Sequence, residues 1–248
     1  NSVTSIGSSA FSGCSGLTRV DYTGTLEQWL AISFGKETSL PQTFTENVYI
    51  QDEPISSVTS ITIPDTVTSI PAGYLRGFTG LERLTVPFVG LSANATDQNN
   101  RFYQIFGNSY TNIPSSLHEV IITGGTSIGQ DSFRNCSSLT SVVIPDSVME
   151  IGYRAFNGCS GLMSVTMESD ANVSDAQLCF TKDNIRYQVL NKNSVSVTSN
   201  SNTYSGDFVI PATVTAGNTF TVTAIKAFAF YGCSGLTSVV IPDSVTSI

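Results

Sequence analysis

The side chains that could carry out acid–base, nucleophilic or metal chemistry are few in this sequence. His118 is the single histidine among the 248 residues, so any Ser-His or Cys-His arrangement would depend on it. There is no CxxC pair and no second histidine, which removes the usual ligand spacing of a metal site. The glycine-rich residues 124–129 lack the Gly-Lys-Ser/Thr ending of a phosphate-binding loop. The sequence therefore predicts no catalytic residue, no metal site and no cofactor.

Three aspartates recur in a fixed context that could suggest calcium binding or acid–base catalysis. Asp65, Asp146 and Asp243 each follow Ile-Pro, in IPDTV or IPDSV, whereas Ala212 takes the same place in IPATV. Proline fixes φ at about −65° and lacks an N–H donor, and aspartate beside it favours a turn. Because alanine replaces one of these aspartates, we interpret the carboxylates as turn residues.

The cysteines could form disulfides, or they could be packing residues. Four of them hold one equivalent place relative to their apolar neighbours: Cys14, Cys136, Cys159 and Cys233. Phe78 holds that place in another copy, and free cysteine behaves as a small buried hydrophobe, so packing is the favoured interpretation. A Cys136–Cys159 disulfide is the alternative, and Cys179 stands apart from the pattern.

A repeat positions these side chains along the chain. Residues 130–151 read QDSFRNCSSLTSVVIPDSVMEI, and their apolar residues recur 23 positions later. Phe133, Cys136, Leu139 and Val142 correspond to Phe156, Cys159, Leu162 and Val165. The same spacing fits residues 6–22, 70–86 and 225–248. A period in the 20s indicates a solenoid, because each repeat is too small to bury its own apolar face and must stack on its neighbours.

The repeat also resembles a known family. The segments SIGSSAFSGCSGLTRV and SFRNCSSLTSVVIPDSVMEIGYRAFNGCSGL fit the pattern IxxxAFxxCxxLxxVxIPxxVxxI and resemble the BspA-like class of bacterial leucine-rich repeats. That resemblance implies a surface-exposed or secreted protein, often from a host-associated anaerobe or a parasitic protist. Attachment to host or bacterial partners is proposed for some members, and the family has no catalytic residues to carry over.

The repeat and the resemblance together define the expected fold and domain organisation. We expect an α/β repeat fold, a right-handed leucine-rich-repeat solenoid with a short parallel β-sheet, short helical or 3-10 turns, and inserted β-hairpin and helix elements. Residues 1–248 would form a single solenoid, interrupted by inserts at about 25–54, 91–116 and 168–222. Because the chain opens at Asn1 without methionine and stops within a repeat at Ile248, we expect it to be a fragment of a longer protein.

The inserts carry local signals of their own. In the first, Thr25 and Gln28 have capping-box spacing, which predicts a short helix. Its apolar side is expected to comprise Leu26, Trp29, Leu30 and Phe34. Residues 47–51 are predicted as a strand. The third insert alternates apolar and polar residues around turn signals at 183–184 and 191–193, so antiparallel hairpins are expected there.

The second insert contains the densest aromatic cluster of the chain. Phe102, Tyr103, Phe106 and Tyr110 lie within RFYQIFGNSY. Three interpretations are open: a hydrophobic lid over the solenoid, an exposed sugar-stacking patch, and a partner-binding loop. The lid is favoured because large apolar side chains usually bury.

Composition argues against nucleic acid and membrane as partners. Charged residues make up 12% of the chain, the formal net charge is −8, and the eleven lysines and arginines are not clustered. The chain therefore lacks the basic patch that binds phosphate backbones. No apolar run approaches the roughly 18 residues needed to span a bilayer. We expect no nucleic-acid binding and no membrane insertion within this chain.

The strand residues that face away from the core are the candidate binding surface. Side chains alternate across a strand, so the neighbours of each inward valine or leucine point outward. The candidates are Arg19, Asp21, Arg83, Thr85, Glu119, Ile121, Val143, Thr166 and Val240. This face could bind a partner, as solenoids usually do there, or it could be an ordinary solvated sheet.

Two function classes, and a less favoured third, follow from these observations. The first hypothesis is a non-enzymatic, cell-surface or secreted module that mediates adhesion-type binding to a protein or glycan on a host or bacterial surface. The second is a structural spacer in a long surface protein, and the third is a glycan-active enzyme with its site in an insert. Because stacked repeats leave unpaired edges, the ends must be capped by inserts, continued by further repeats, or joined by end-to-end self-association.

Overall fold

The described part of the molecule comprises residues 3–34, 47–93, 101–107, 109–171, 173, 176–200 and 203–248 of a computed structural model. It forms two compact units, which we call unit 1 (residues 1–124) and unit 2 (residues 125–248). Both units are built from leucine-rich-repeat coils with short parallel strands, which confirms the predicted fold class. Among the described residues, no helix has the length and apolar character needed to cross a bilayer.

The described residues of unit 1 form eight short strands, one α-helix and three 3-10 turns. The strands are β1 (Ser5–Ile6), β2 (Val20–Tyr22), β3 (Ser33–Phe34), β4 (Val48–Ile50), β5 (Glu53–Pro54), β6 (Ser60–Thr62), β7 (Arg83–Val86) and β8 (Glu119–Ile122). The helix α1 is Leu26–Leu30, and the 3-10 turns are Ile55–Ser57, Phe102–Phe106 and Tyr110–Asn112. Within the unit, β6, β7 and β8 form a parallel row, β2 pairs in parallel with β4, and β1 pairs in parallel with β3.

Unit 2 is built from strands, and no helix is present in its described residues. The strands are β9 (Ser127–Ile128), β10 (Ser141–Ile144), β11 (Glu150–Ile151), β12 (Ser164–Met167), β13 (Cys179–Lys182), β14 (Ile185–Asn191), β15 (Ser194–Val197), β16 (Gly206–Val209), β17 (Thr213–Ala216), β18 (Asn218–Ile225) and β19 (Leu236–Val240). The pairs β9–β11, β10–β12 and β16–β19 are parallel. A separate sheet has the order β13-β14-β15-β18-β17.

The turn that precedes each main strand repeats the same hydrogen bonds in both units. In residues 130–151, the N–H of Cys136 donates to the carbonyl of Phe133 at 3.1 Å, and the N–H of Leu139 donates to that of Cys136 at 3.2 Å. The same two bonds, each between residues three apart, recur in the turns of four other coils. These turns end at Leu17, Leu81, Leu162 and Leu236. Matching local geometry at Phe11, Phe133, Phe156 and Phe230 confirms the repeat that the sequence predicts.

Stacking of neighbouring coils keeps the 23-residue register of the sequence. Strand β10 pairs with β12 so that Val142 lies opposite Val165. The rings of Phe133 and Phe156 stack with centroids 5.0 Å apart and planes inclined by 6°. Both rings are buried, with relative exposures of 0% and 1%. The repeated aromatic position therefore builds a shared core between coils.

The Ile-Pro-Asp segments form the corners at which the chain leaves its strands. The N–H of Val67 donates to the carbonyl of Pro64 at 3.0 Å, and Val148 and Val245 make the same bond to the prolines three residues before them. These bonds close turns. The turn interpretation of the aspartates is confirmed for all three segments.

The first insert contains the predicted helix, but the helix is shorter than expected. Thr25 and Gln28 form a capping box, in which the side-chain oxygen of each accepts from the backbone N–H of the other. Trp29 is buried and contacts Tyr22 edge-on at 5.3 Å. The helix ends at Leu30, and Phe34 belongs to β3. Its assignment to the apolar side of the helix is wrong, because the backbone from Ser33 onward pairs with β1 instead.

The same insert supplies a pairing partner for each of the two strands in the coil before it. β3 pairs with β1, and β4 pairs with β2 in the register Val20 to Val48. The hydroxyl of Tyr74, in the next coil, donates to the carbonyl of Leu30. The described residues of this insert thus pack as part of a longer, helix-containing coil. Residues 35–46 of this insert lie outside the described part of the chain.

The third insert forms the hairpins that its turn signals predict. β13 pairs antiparallel with β14, and Asp183 and Asn184 at their turn have φ of 49° and 62°. β14 pairs antiparallel with β15, and β17 with β18. The parallel pairing of β15 with β18 was not expected from the sequence.

Candidate functional site

The outward strand face of unit 1 follows the alternation expected from the sequence. Leu84 and Val120 lie opposite each other and are buried, at 1% and 0% exposure. Their neighbours Arg83, Thr85, Glu119 and Ile121 point the other way and are exposed or half-buried. The strand geometry therefore separates a continuous apolar side from an accessible side that carries charge.

Arg83 and Glu119 form a cross-strand ion pair on this accessible side. They lie directly opposite each other in the β7–β8 register, and Nε of Arg83 is 3.1 Å from Oε2 of Glu119. The Arg83 side chain is 64% exposed and that of Glu119 31%. Opposite charges on directly facing strand positions stabilise a sheet modestly, and exposed pairs contribute little to folding. Both side chains therefore remain available to a partner.

Arg19 lies at the centre of a second charged cluster in unit 1. Its Nη2 is 2.6 Å from Oδ1 of Asp21 and 3.5 Å from Oδ1 of Asp52. Its guanidinium lies 3.8 Å from the centroid of the Tyr49 ring, in a cation–π contact. Tyr49 is brought there by β4, which pairs it directly with Asp21. Strand pairing thus assembles a cation, an aromatic ring and two carboxylates on one surface.

The Arg19 hydrogen bond also sets the protonation of this cluster. The hydrogen bond from the Arg19 guanidinium lowers the pKa of Asp21 below its usual value, and the same bond raises the pKa of Arg19. Hydrogen bonding to the charged form of a group favours that form. Arg19 and Asp21 therefore stay ionised at neutral pH and present fixed charges of both signs.

The outward face in unit 2 is mostly polar and uncharged. Ser141 lies opposite Ser164, and Val143 opposite Thr166, along the β10–β12 pair. All four side chains are half-buried. Val240 on β19 is 55% exposed. A face of small hydroxyl and β-branched side chains offers hydrogen bonds and apolar contact but little electrostatic selectivity.

The aromatic candidates of the second insert divide between the core and the surface. Phe102 and Phe106 are 1% and 0% exposed and contact each other edge-on at 5.5 Å. The prediction that these two residues are accessible for binding is wrong, because the 3-10 turn Phe102–Phe106 places both rings in the core. Burial of the rings is what the lid interpretation expects. Tyr103 is half-buried and accepts a hydrogen bond from Nη1 of Arg101 at 3.2 Å. Tyr110 is 48% exposed.

The single histidine and the buried thiol of Cys159 lie against backbone carbonyls. Nδ1 of His118 is 3.0 Å from the carbonyl oxygen of Ser116. The thiol of Cys159 donates to the carbonyl of Phe133 at 3.0 Å, and its hydrogen bond with Cys136, together with burial, raises the pKa of Cys159. A buried thiol held in its neutral form is a poor nucleophile.

The metal-ligating side chains of the described residues do not come together in a site. Within the described ranges, no group of three or more histidine, cysteine, aspartate or glutamate side chains could hold a metal ion. The five cysteines are free thiols. Cys136 and Cys159 are buried, as the packing interpretation expects, whereas Cys14 is exposed. That interpretation is wrong for Cys14, because the turn that carries it lies at the surface of unit 1.

Two members of the Arg19 cluster were missed by sequence reasoning. Tyr49 and Asp52 were treated as parts of an insert, yet both approach Arg19. A signal for Tyr49 was present, since Val48 and Ile50 point inward and a residue between them must point outward. Asp52 follows the strand in a tight turn with φ of 67°, and no sequence pattern placed it beside Arg19.

The family follows from comparison with known sequences. The model of the BspA type leucine rich repeat region matches in six copies, over residues 1–88, 53–124, 98–220 and 214–248. These matches overlap and extend over the whole chain. The chain belongs to the BspA-type leucine-rich-repeat family. The matched residues include the three inserts, so this BspA-type chain carries its longer coils within the family pattern. No curated protein matches the chain.

Solved structures of bacterial proteins are similar to this BspA-type chain at low identity. A leucine rich cell surface protein from Faecalibacterium prausnitzii is 24% identical, with a TM-score of 0.27, over 77% of this chain and 56% of its own length. A leucine-rich repeat protein from Bacteroides ovatus is 21% identical, with a TM-score of 0.39, over 100% of this chain and 66% of its own. A leucine-rich repeat protein from Eubacterium ventriosum is 20% identical, with a TM-score of 0.31, over 78% and 50%. The chain spans about half to two thirds of the length of these proteins.

Proposed function

We propose that this chain is a non-enzymatic interaction module that acts on the cell surface or after secretion and binds a protein or glycan on another surface. The location outside the cell follows the family, whose members are typically surface-exposed or secreted. The binding surface is the outward strand face, with the Arg19 cluster and the Arg83–Glu119 pair as its charged part. A direct partner contact at these positions needs no rearrangement of the coil.

One observation carries this proposal: parallel pairing in register places outward side chains from successive strands side by side. Ser60, Arg83 and Glu119 lie in one line across β6, β7 and β8, and Thr62, Thr85 and Ile121 lie in the next. Solenoids commonly bind through extended surfaces of this kind. Arginine and tyrosine are also enriched where interfaces are strongest.

The test is binding of the purified chain to panels of host extracellular-matrix proteins and glycans at micromolar concentration. A partner found in this way should bind Arg83→Ala and Asp21→Ala about fivefold more weakly or worse, since each variant removes an exposed charge of the surface. Glu168→Ala serves as the matched control, because Glu168 is an exposed carboxylate just beyond the end of β12.

A structural spacer is the outcome opposed to this proposal. If no panel member binds, and if a cell that carries an unrelated rigid segment of equal length in place of this chain attaches as well as the wild type, the chain acts as a spacer. Loss of attachment after that exchange supports a binding role, provided that the Arg83→Ala protein is as stable as the wild type.

A further inference from the structure

A cleft in unit 2 lies apart from the outward strand face proposed above. Its volume is about 980 Å³, within the usual range of ligand sites. One wall is the β13–β14 hairpin, with Asp183 and Arg186, and the other is β16, with Asp207 and Val209. Met163, which precedes β12, also lines it. None of the outward-face candidates lines this cleft.

Strand β16 presents an unpaired edge to the cleft. Its partner β19 is parallel, and the N–H groups of Gly206 and Ile210 donate to carbonyls on that side at 2.8 and 3.0 Å. In a parallel ladder, alternate residues direct their N–H and C=O to the same neighbour, so those of Asp207 and Val209 point away from β19. Within the described residues, β19 is the sole strand that pairs with β16. Two N–H donors and two carbonyl acceptors therefore face the cleft.

Such an edge binds extended peptide backbone. Unpaired strand edges are templates for another chain, and several peptide-binding domains work by adding a strand to them. Main-chain hydrogen bonds then supply affinity, and the pockets beside alternate side chains supply specificity. A carbohydrate would need an exposed ring for stacking. Of the two aromatic residues that line the cleft, Tyr204 is buried with its hydroxyl bound to backbone groups, and the half-buried Phe208 packs against the rings of Tyr204 and Phe230.

The side chains around the edge define which peptide fits. Val209 and Met163 are 60% and 57% exposed and offer apolar contact. The charged residues that line the cleft are two carboxylates, of Asp183 and Asp207, and one guanidinium, of Arg186. Oδ1 of Asp207 accepts from Ser238 and Thr237 at 2.7 and 2.8 Å, and these bonds lower its pKa below the usual value. The wall beside β16 is therefore anionic at neutral pH, and the net charge of the chain is −8.

We propose that this cleft binds an extended peptide segment of a partner protein, which adds a strand to the free edge of β16. Asp207 and Val209 lie two residues apart on one face of β16, so the segment carries an apolar and a basic side chain at successive positions of the face that meets them. Its backbone pairs with Asp207 and Val209, its apolar side chains contact Val209 and Met163, and its basic side chains approach the carboxylates of Asp183 and Asp207.

The test uses fluorescence anisotropy with a fluorescein-labelled, end-capped octapeptide of sequence Val-Thr-Lys-Thr-Val-Thr-Lys-Thr, which places valine and lysine on one face of the strand. We expect saturable binding at micromolar concentration. Val209→Pro removes the N–H that faces the cleft without touching the β19 ladder, so affinity should fall about fivefold or more, the value of one hydrogen bond. Met149→Ala, at an exposed residue of the same unit that does not line the cleft, serves as the control, with affinity within about twofold of wild type.

A second probe decides the result even if Val209→Pro lowers the stability of the fold. The same peptide with N-methyl groups on alternate residues cannot donate hydrogen bonds from one edge, and it should bind at least about fivefold more weakly to the wild-type chain. Equal binding of the methylated peptide, equal binding of a valine–glutamate peptide, or no saturable binding of the valine–lysine peptide would each overturn the proposal. Failure here leaves the outward-face proposal intact, because the two surfaces share no residue.

Discussion

The side-chain amide of Asn218 pairs with the backbone of Met167 as an additional strand would. Oδ1 of Asn218 accepts from the N–H of Met167 at 3.2 Å, and Nδ2 donates to the carbonyl of Met167 at 2.7 Å and to that of Lys192 at 2.9 Å. Met167 is the last residue of β12, and Asn218 opens β18. One side chain of the third insert therefore closes the end of a repeat strand and anchors a hairpin to it.

Asn218→Ala should lower the free energy of unfolding by about 2 kcal/mol, because it leaves one buried N–H and two carbonyls without a partner. Urea denaturation followed by circular dichroism measures the change. Thr221→Ala, at an exposed position of the same strand, is the control and should stay within about 0.5 kcal/mol of wild type. Equal effects of the two substitutions would show that the amide bridge does not stabilise the insert.

The stacked rings of Phe133 and Phe156 should be energetically coupled. Phe133→Leu and Phe156→Leu should each destabilise the chain by about 1–3 kcal/mol, since both rings are buried. In a double-mutant cycle the two substitutions should show a coupling of about 0.5–1.5 kcal/mol, the range for aromatic pairs. The cycle of Phe133 with Phe230 is the control. Phe230 contacts Tyr204 and Phe208, so strict additivity is expected.

The repeated turn could be predicted from the sequence because its determinants are local. Phe133, Cys136 and Leu139 lie within one turn, and each contributes either an apolar side chain or an i to i+3 hydrogen bond. The same applies to the capping box of Thr25 and Gln28. Where burial and turn chemistry act within a few residues, the pattern of the chain is sufficient to predict the element.

The sites depend on contacts that are distant in sequence, and these could not be predicted. Tyr49 reaches Arg19 only because β4 pairs with β2 across the helix-containing insert. The bridge from Asn218 to Met167 requires the parallel pairing of β15 with β18, which nothing in the local alternation specifies. The cleft likewise arises where a hairpin and a repeat strand come close without pairing.

The chain should lose stability in alkaline solution. Burial raises the pKa values of Tyr74 and Tyr187, and Cys136 and burial raise that of Cys159. A raised folded-state pKa stabilises the fold below the unfolded pKa, about 8.5 for cysteine and 10 for tyrosine, and that stability is lost as pH rises further. We expect the urea midpoint to be constant from pH 6 to about 8 and to fall at higher pH.

The cysteine contribution to this profile can be isolated by substitution. Under reducing conditions, Cys159→Ala should flatten the loss of stability between about pH 8 and 10, by up to about 1.4 kcal/mol per pH unit. Cys14→Ser removes an exposed thiol and should leave the profile unchanged. A profile that Cys159→Ala does not alter would contradict the assignment of this thiol to a buried, neutral state.

The account rests on coils whose strands pair in register, 23 residues apart in the case of β10 and β12, and leave every second strand residue accessible. Ser141→Cys and Ser164→Cys, made together in a background without Cys14, Cys179 and Cys233, place two thiols on directly opposite outward positions. After labelling with pyrene maleimide, we predict an intramolecular excimer band whose share of the emission does not change on dilution and which neither single variant shows. Monomer emission alone from the labelled and folded double variant would contradict the stacking register and the outward face together.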